Sequence, residues 1–133
     1  MNWESKRMKR ELEGLSGTIR GQTLVLSPIH EMVFPDGYPF KPPTLLIDKK
    51  YHCNYLGKLY SNYDTFVRKY HIPLVCNCNQ TIITQWTPCY MGKHVWLEYN
   101  SYLKQLKQVA SLQVAVKGLS FDDLVLTNIC SFL

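Results

Sequence analysis

The chain has 133 residues and a mass of 15.5 kDa; 46% of its residues are hydrophobic and 19% are charged. This length predicts a single domain, residues 1–133, with a core of its own, and the composition excludes a disordered chain. The net charge of +5 fits a solvated helix face or an acidic protein partner better than nucleic acid. No stretch reaches the ~20 apolar residues of a membrane span, so we expect no membrane association.

Residues 2–15 predict an amphipathic helix, because apolar side chains recur near one face and charges lie on the other. The apolar positions are Trp3, Met8, Leu12 and Leu15. The basic positions are Lys6, Arg7, Lys9 and Arg10. We expect this basic face to be presented to an acidic partner surface, where charges act mainly on association rate and salt dependence.

Three short strands are predicted next. Residues 22–26 and 29–34 have strand character on either side of a Ser27-Pro28 turn, and residues 44–47 form a third short apolar run. Residues 35–43 between them cannot be helical, because each proline fixes φ and lacks an N–H. We expect residues 35–43 to form a rigid turn at the end of a strand that exposes the aromatic ring of Phe40.

After the third strand, the sequence predicts an irregular, cysteine-bearing region followed by helices. Residues 48–85 show no clean period, although 64–70 are compatible with one or two helical turns. After Trp86 comes the clearest helical pattern, with apolar residues at 3.6-residue spacing: Val95, Tyr99, Tyr102, Leu103, Leu106 and Val109. Gly118 separates it from a last helix that Ser120 can cap. Strands grouped between helices predict an α+β fold, a small antiparallel meander with helices on one side.

Five cysteines leave one unpaired in any complete disulfide scheme. Together with a polar, charged start that is unlike a secretory signal, they predict reduced thiols in a cytoplasmic or nuclear protein. Cys76-x-Cys78 with His71 and the His52-Cys53 pair resembles a zinc ligand set only poorly, because structural zinc prefers two to four residues between paired cysteines. We therefore expect no metal and no cofactor.

Two motifs resemble the ubiquitin-conjugating enzymes, and the resemblance extends from about residue 32 to residue 106. Residues 34–43, Phe-Pro-Asp-Gly-Tyr-Pro-Phe-Lys-Pro-Pro, are similar at nearly every position to the family's strand end and proline-rich turn. The related, non-catalytic RWD domains share a Tyr-Pro…Pro turn. Trp86-Thr87-Pro88 before an amphipathic helix resembles the family's Trp-Ser-Pro and central helix, which favours the conjugating family.

The resemblance implies a trimmed UBC-like fold that lacks one or two family strands, because the segment between the first helix and the prolines is short. It also implies an activity in which a cysteine receives ubiquitin or a ubiquitin-like protein from an activating enzyme as a thioester. A lysine amine then takes the acyl group, usually with a ubiquitin ligase holding both proteins, and no cofactor takes part in the transfer. The family's partner contacts correspond here to Phe40, Pro88 and Cys89.

The position of the nucleophile is open between two registers. In one, residues 55–75 are an insertion and the offset to Trp86 makes Cys78, or less favourably Cys76, the nucleophile. Asn54, in a segment similar to the family's His-Pro-Asn, would then support the oxyanion, although it lies far upstream. In the other register Tyr60 stands where the cysteine belongs, and the chain is a catalytically inactive UBC/RWD-like interaction module. Divergent sequences with such insertions resemble those of large DNA viruses.

Overall fold

The structure, a computed structural model, describes residues 2–74 and 81–117 of the chain. The helices in these ranges are α1 (Lys6–Gly14), α2 (His52–Ser61), α3 (Asp64–Lys69), α4 (Thr81–Thr84) and α5 (Gly92–Lys117). The strands are β1 (Thr18–Arg20), β2 (Thr23–Val25), β3 (His30–Val33), β4 (Thr44–Ile47) and β5 (Lys50–Tyr51). None of the helices in the described ranges has the length and hydropathy that a bilayer crossing requires.

The five strands form one antiparallel meander in the order β1-β2-β3-β4-β5. Leu24 is paired with Met32 and Met32 with Leu45, so the three inner strands place one row of side chains on the same face. All three of these side chains are fully buried, which identifies this face as the core face of the sheet. The α+β class predicted from the sequence, a small antiparallel meander with an N-terminal helix and later helices, is confirmed.

The sheet has five strands where the sequence predicted three. β4 has the predicted bounds, and β2 and β3 lie inside their predicted segments. β1 was missed because all three of its side chains are exposed and show no alternation. β5 was missed because it is only two residues long and follows a turn in which Asp48 and Lys49 both adopt positive φ. The sheet therefore has two more strands than the sequence predicted.

The predicted helices differ from the observed ones mainly at their boundaries. α1 begins four residues later than predicted, because Ser5 is its N-cap and the Ser5 Oγ accepts a hydrogen bond from the Met8 N–H at 3.2 Å. α3 covers residues 64–69 of the predicted 64–70, and α5 follows Trp86 as predicted. α2 and α4 were not predicted. Gly118 and the last predicted helix lie outside the described residues.

The described chain forms two compact units. The first contains residues 2–55 and 81–99, hence the whole sheet and α1, and its buried residues include Met8, Leu15, Phe34, Ile47, Val95 and Tyr99. The second contains residues 56–74 and 100–117, and its buried residues include Leu56, Phe66, Val67, Tyr70, Tyr102, Leu106 and Val109. All three tryptophans belong to the first unit, so tryptophan fluorescence reports on the unfolding of that unit.

His52 is a buried polar residue in the first unit. Its ring is fully inaccessible to solvent, and its Nε2 lies 3.6 Å from the Cys53 sulfur. Its Nδ1 has no hydrogen-bond partner in the part of the chain that the structure describes. Because burial disfavours the charged imidazolium, it lowers the pKa of His52 to about 4.

The low pKa of His52 predicts that the first unit is less stable in acid. An unfolded histidine has a pKa of about 6.5, so between pH 6.5 and 4 the unfolded state binds more protons than the folded one. The free energy of unfolding should therefore fall by up to about 3 kcal/mol over this range on account of His52. Urea unfolding monitored by tryptophan fluorescence at several pH values measures this fall.

His52→Leu should remove that part of the pH dependence, because leucine has a similar size and no titrating nitrogen. The exposed Leu97→Ala of the same unit, which removes no titrating group, is the control and should keep the wild-type slope. Parallel pH profiles for wild type and His52→Leu would show that the buried ring does not titrate as proposed.

Candidate functional site

The proline-rich segment forms a turn directly after β3. The Tyr38 N–H donates to the Pro35 carbonyl at 3.0 Å, and the Phe40 and Lys41 N–H groups donate to the Gly37 carbonyl at 2.8 and 3.0 Å. The Phe40 side chain lies on this turn and is 81% exposed. The predicted turn at a strand end and the predicted exposure of Phe40 are both confirmed. We call residues 35–43 the proline turn.

A second turn lies just before α5. The Tyr90 N–H donates to the Thr87 carbonyl at 3.0 Å, and the Cys89 N–H lies 3.3 Å from the Thr87 hydroxyl. Pro88 and Cys89 occupy the two central positions and are exposed, and the Cys89 thiol is free. Proline at the first central position suits such a turn, because its fixed φ matches the required backbone. We call residues 87–90 the cysteine turn.

Trp86 connects the two turns. Its indole N–H donates to the Pro39 carbonyl at 2.7 Å, and its ring centroid lies 5.9 Å from that of Tyr38. A buried or half-buried tryptophan normally finds such an acceptor while its ring packs on apolar neighbours. Trp86 therefore links the proline turn, which carries the exposed Phe40, to the cysteine turn, which carries the exposed Pro88 and Cys89.

Below these turns lies a buried carboxylate, Glu11 on α1, which is only 1% exposed. One oxygen accepts from the Arg7 Nε at 3.2 Å and from the Tyr38 hydroxyl. The other accepts from the Gly92 N–H at 2.8 Å, in the first turn of α5. A buried charge needs such partners, and the free N–H groups of a helix N-terminus favour an anion. Burial, with the hydrogen bond to Glu11, also raises the pKa of Tyr38.

Arg7 departs from its predicted place on the surface. Lys6, Lys9 and Arg10 are exposed as expected. The Arg7 guanidinium instead contacts Glu11 and Tyr38, and it donates to two carbonyls of the cysteine turn. Arg7 is half-buried instead of fully exposed, and its role as a partner contact stays a prediction. The four-residue spacing of Arg7 and Glu11 was the one signal in the sequence that pointed to this pair.

Of the predicted catalytic residues, only Asn54 lies within the described residues. Cys78 and Cys76 belong to the residues that are not described. Asn54 is exposed in the first turn of α2, whereas its neighbours His52 and Cys53 are buried. Tyr60 belongs to the second unit, and its hydroxyl lies 3.5 Å from the Leu74 carbonyl.

No three His, Cys, Asp or Glu side chains converge on a possible metal position within residues 2–74 and 81–117. Of the two cysteines in these ranges, Cys53 is buried and Cys89 is exposed. Apart from the Cys89 thiol, the two turns expose the Phe40 ring and Pro88, and their backbone carbonyls are hydrogen-bonded to Arg7 and Trp86. Chemically, this arrangement is suited to holding a protein surface.

Comparison of the chain with protein-family profiles, with curated proteins and with solved structures gives no match in any of the three. The resemblance to the conjugating enzymes therefore rests on the two sequence motifs. Both motifs lie in the first unit, and the Trp86–Pro39 hydrogen bond joins them.

Glu11→Ala should strongly destabilise the first unit. It leaves Arg7 without its carboxylate and leaves the Gly92 N–H and the Tyr38 hydroxyl without an acceptor, at a cost of about 3 kcal/mol or more. Glu11→Gln keeps an acceptor and should cost less. The exposed Glu13→Ala on the same helix is the control and should stay within about 0.5 kcal/mol of wild type in urea unfolding. If Glu11→Ala were as stable as Glu13→Ala, the buried network would not stabilise the unit.

Proposed function

We propose that this chain acts in ubiquitin-type conjugation as a docking protein. The proline turn and the cysteine turn bind a ubiquitin ligase or the activating enzyme, as the resemblance to the conjugating enzymes implies. The observation that carries this proposal is the 81% exposed ring of Phe40 on a turn that Trp86 anchors. The proposed location, cytoplasm or nucleus, follows from the need for these partners.

The exposure of Phe40 supports a binding role because it is energetically unfavourable in the free protein. Burying a phenylalanine ring is worth about 1.5–3 kcal/mol relative to leaving it in water. A partner with an apolar pocket would recover this free energy, and aromatic residues of this kind commonly dominate interface energies. Pro88 and Cys89 extend the same surface without adding charge.

The basic residues of α1 support a partner with an acidic face. Lys6, Lys9 and Arg10 are all exposed, and no acidic residue stands among them in residues 5–10. Such charges mainly increase the rate of encounter with an oppositely charged protein. Apart from Phe40, the described aromatic residues are buried or half-buried and form no exposed stacking row, which favours a protein partner over single-stranded nucleic acid.

Full conjugating activity is the second candidate function. The eight-residue offset between Cys78 and Trp86 in the sequence favours it. Cys78 would carry ubiquitin or a ubiquitin-like protein as a thioester, and Asn54 would support the oxyanion of the transfer step. The alternative is an inactive module, the register in which Tyr60 occupies the cysteine position. The exposed side chain of Asn54 leaves it accessible for the catalytic role.

Phe40→Ala should weaken partner binding by roughly thirtyfold, since loss of an aromatic anchor typically costs about 2 kcal/mol. Binding of the activating enzyme and of a panel of ubiquitin-ligase domains can be measured by calorimetry. Leu97→Ala is the matched control, because Leu97 is 61% exposed and apolar in the same unit but lies outside both turns. Equal affinities of Phe40→Ala and Leu97→Ala for every bound partner would contradict the docking role.

The conjugating activity predicts a ubiquitin adduct on Cys78. After incubation with activating enzyme, ATP and ubiquitin, the wild type should form an adduct that a thiol reductant removes. Cys78→Ser should give a reductant-resistant oxyester, whereas replacing Cys53 or Cys89 should leave the adduct intact. Asn54→Ala should slow transfer about 10²–10³-fold and spare loading. A wild type that forms no adduct would leave the inactive module as the function.

A further inference from the structure

One arginine side chain contacts two backbone carbonyls of the cysteine turn. The Arg7 Nη1 donates to the Pro88 carbonyl at 2.6 Å and its Nη2 donates to the Tyr90 carbonyl at 2.5 Å. These two carbonyls flank Cys89. The contacts connect α1 to residues that are 81 and 83 positions further along the chain.

Glu11 fixes both the arginine and the segment that follows the turn. Its carboxylate accepts from Arg7 through one oxygen and from the Gly92 N–H through the other. Residues four positions apart lie on the same face of a helix, so Arg7 and Glu11 together contact the backbone from Pro88 to Gly92. The approach to Gly92 is close, because a Cβ there would lie 2.7 Å from the Met32 sulfur and 3.2 Å from the Glu11 carboxylate.

This arrangement orients the exposed part of the turn. Because its flanking carbonyls face Arg7, the turn presents Pro88 and Cys89 to solvent. A loop that is already held in one shape loses less conformational entropy on binding than a free loop does. A lysine cannot replace Arg7 here, because one ammonium group lacks the planar set of donors that reaches several acceptors at once.

We propose that Arg7 and Glu11 are positioning residues that hold the cysteine turn in its binding shape and thereby set the affinity of the partner. This inference rests on the proposed docking function. It assigns to the inner face of α1 a part in recognition separate from that of the exposed basic residues Lys6, Lys9 and Arg10. Helix α1 would thus contribute to partner binding in two ways, through its exposed positive charges and through the turn shape that Arg7 and Glu11 maintain.

Arg7→Lys tests the proposal through two readouts. Amide hydrogen exchange measured by NMR reports the turn directly and needs no partner. The Tyr90 N–H donates to the Thr87 carbonyl and the Gly92 N–H donates to Glu11. Both amides should exchange about tenfold faster or more when loss of the Arg7 contacts lets the turn open locally, while the Val95 amide inside α5 keeps its wild-type rate. Affinity for the activating enzyme or for the ligase domain that Phe40→Ala weakens should fall by about tenfold.

Arg20→Lys is the matched control, since Arg20 is an exposed arginine of the first unit outside both turns. It should leave both readouts unchanged. Glu11→Gln should also speed exchange at Gly92, and combining it with Arg7→Lys should add less than the sum of the two effects, because both residues act on one backbone segment.

The readouts separate failure of this inference from failure of the proposed function. Unchanged exchange at Tyr90 and Gly92 in Arg7→Lys would overturn the positioning role. Faster exchange with unchanged affinity would overturn the link between turn shape and binding. If the wild type bound neither the activating enzyme nor any ligase domain, the proposed docking function would be wrong, and so would the link between turn shape and binding affinity. The amide exchange rates would still show whether Arg7 holds the turn.

Discussion

The buried carboxylate of Glu11 is the contact on which the first unit depends. It joins α1 to the first turn of α5 through Gly92 and to the proline turn through Tyr38. A carboxylate removed from water is stable only when its lone pairs are occupied, so the three elements must keep these positions together. Arg7 balances the charge and extends the same network to the cysteine turn.

This network explains how a small unit can present an exposed aromatic ring. Loops that bind partners work best when a rigid scaffold positions them. Here the scaffold is made of polar contacts below the turns, with Trp86 tying one turn to the other at Pro39. The buried side chains of Leu24, Met32 and Leu45 on the core face of the sheet stabilise the unit through apolar burial. They do not specify the shape of the two turns.

The resemblance to conjugating enzymes and the structure contribute to different parts of the functional proposal. The motif around Phe40 and the segment around Trp86 lie far apart in sequence, and a hydrogen bond brings them together in the first unit. This juxtaposition supports docking. In the segment similar to His-Pro-Asn, only Asn54 faces solvent, because successive residues of a helix point in different directions and His52 and Cys53 point inward. The proposed catalysis would depend on Cys78, so the two proposed functions can be separated by experiment.

The sequence by itself determined the features that depend on local spacing. Short apolar runs bounded by turn residues placed β2, β3 and β4, the 3.6-residue period placed α5, and proline density determined the turn that exposes Phe40. Tertiary structure alone decided the burial of Glu11 and the inward path of Arg7, because their partners Pro88, Tyr90 and Gly92 lie more than eighty residues away. β1 and β5 likewise formed only by pairing with neighbouring strands, since two or three residues carry no periodic signal of their own.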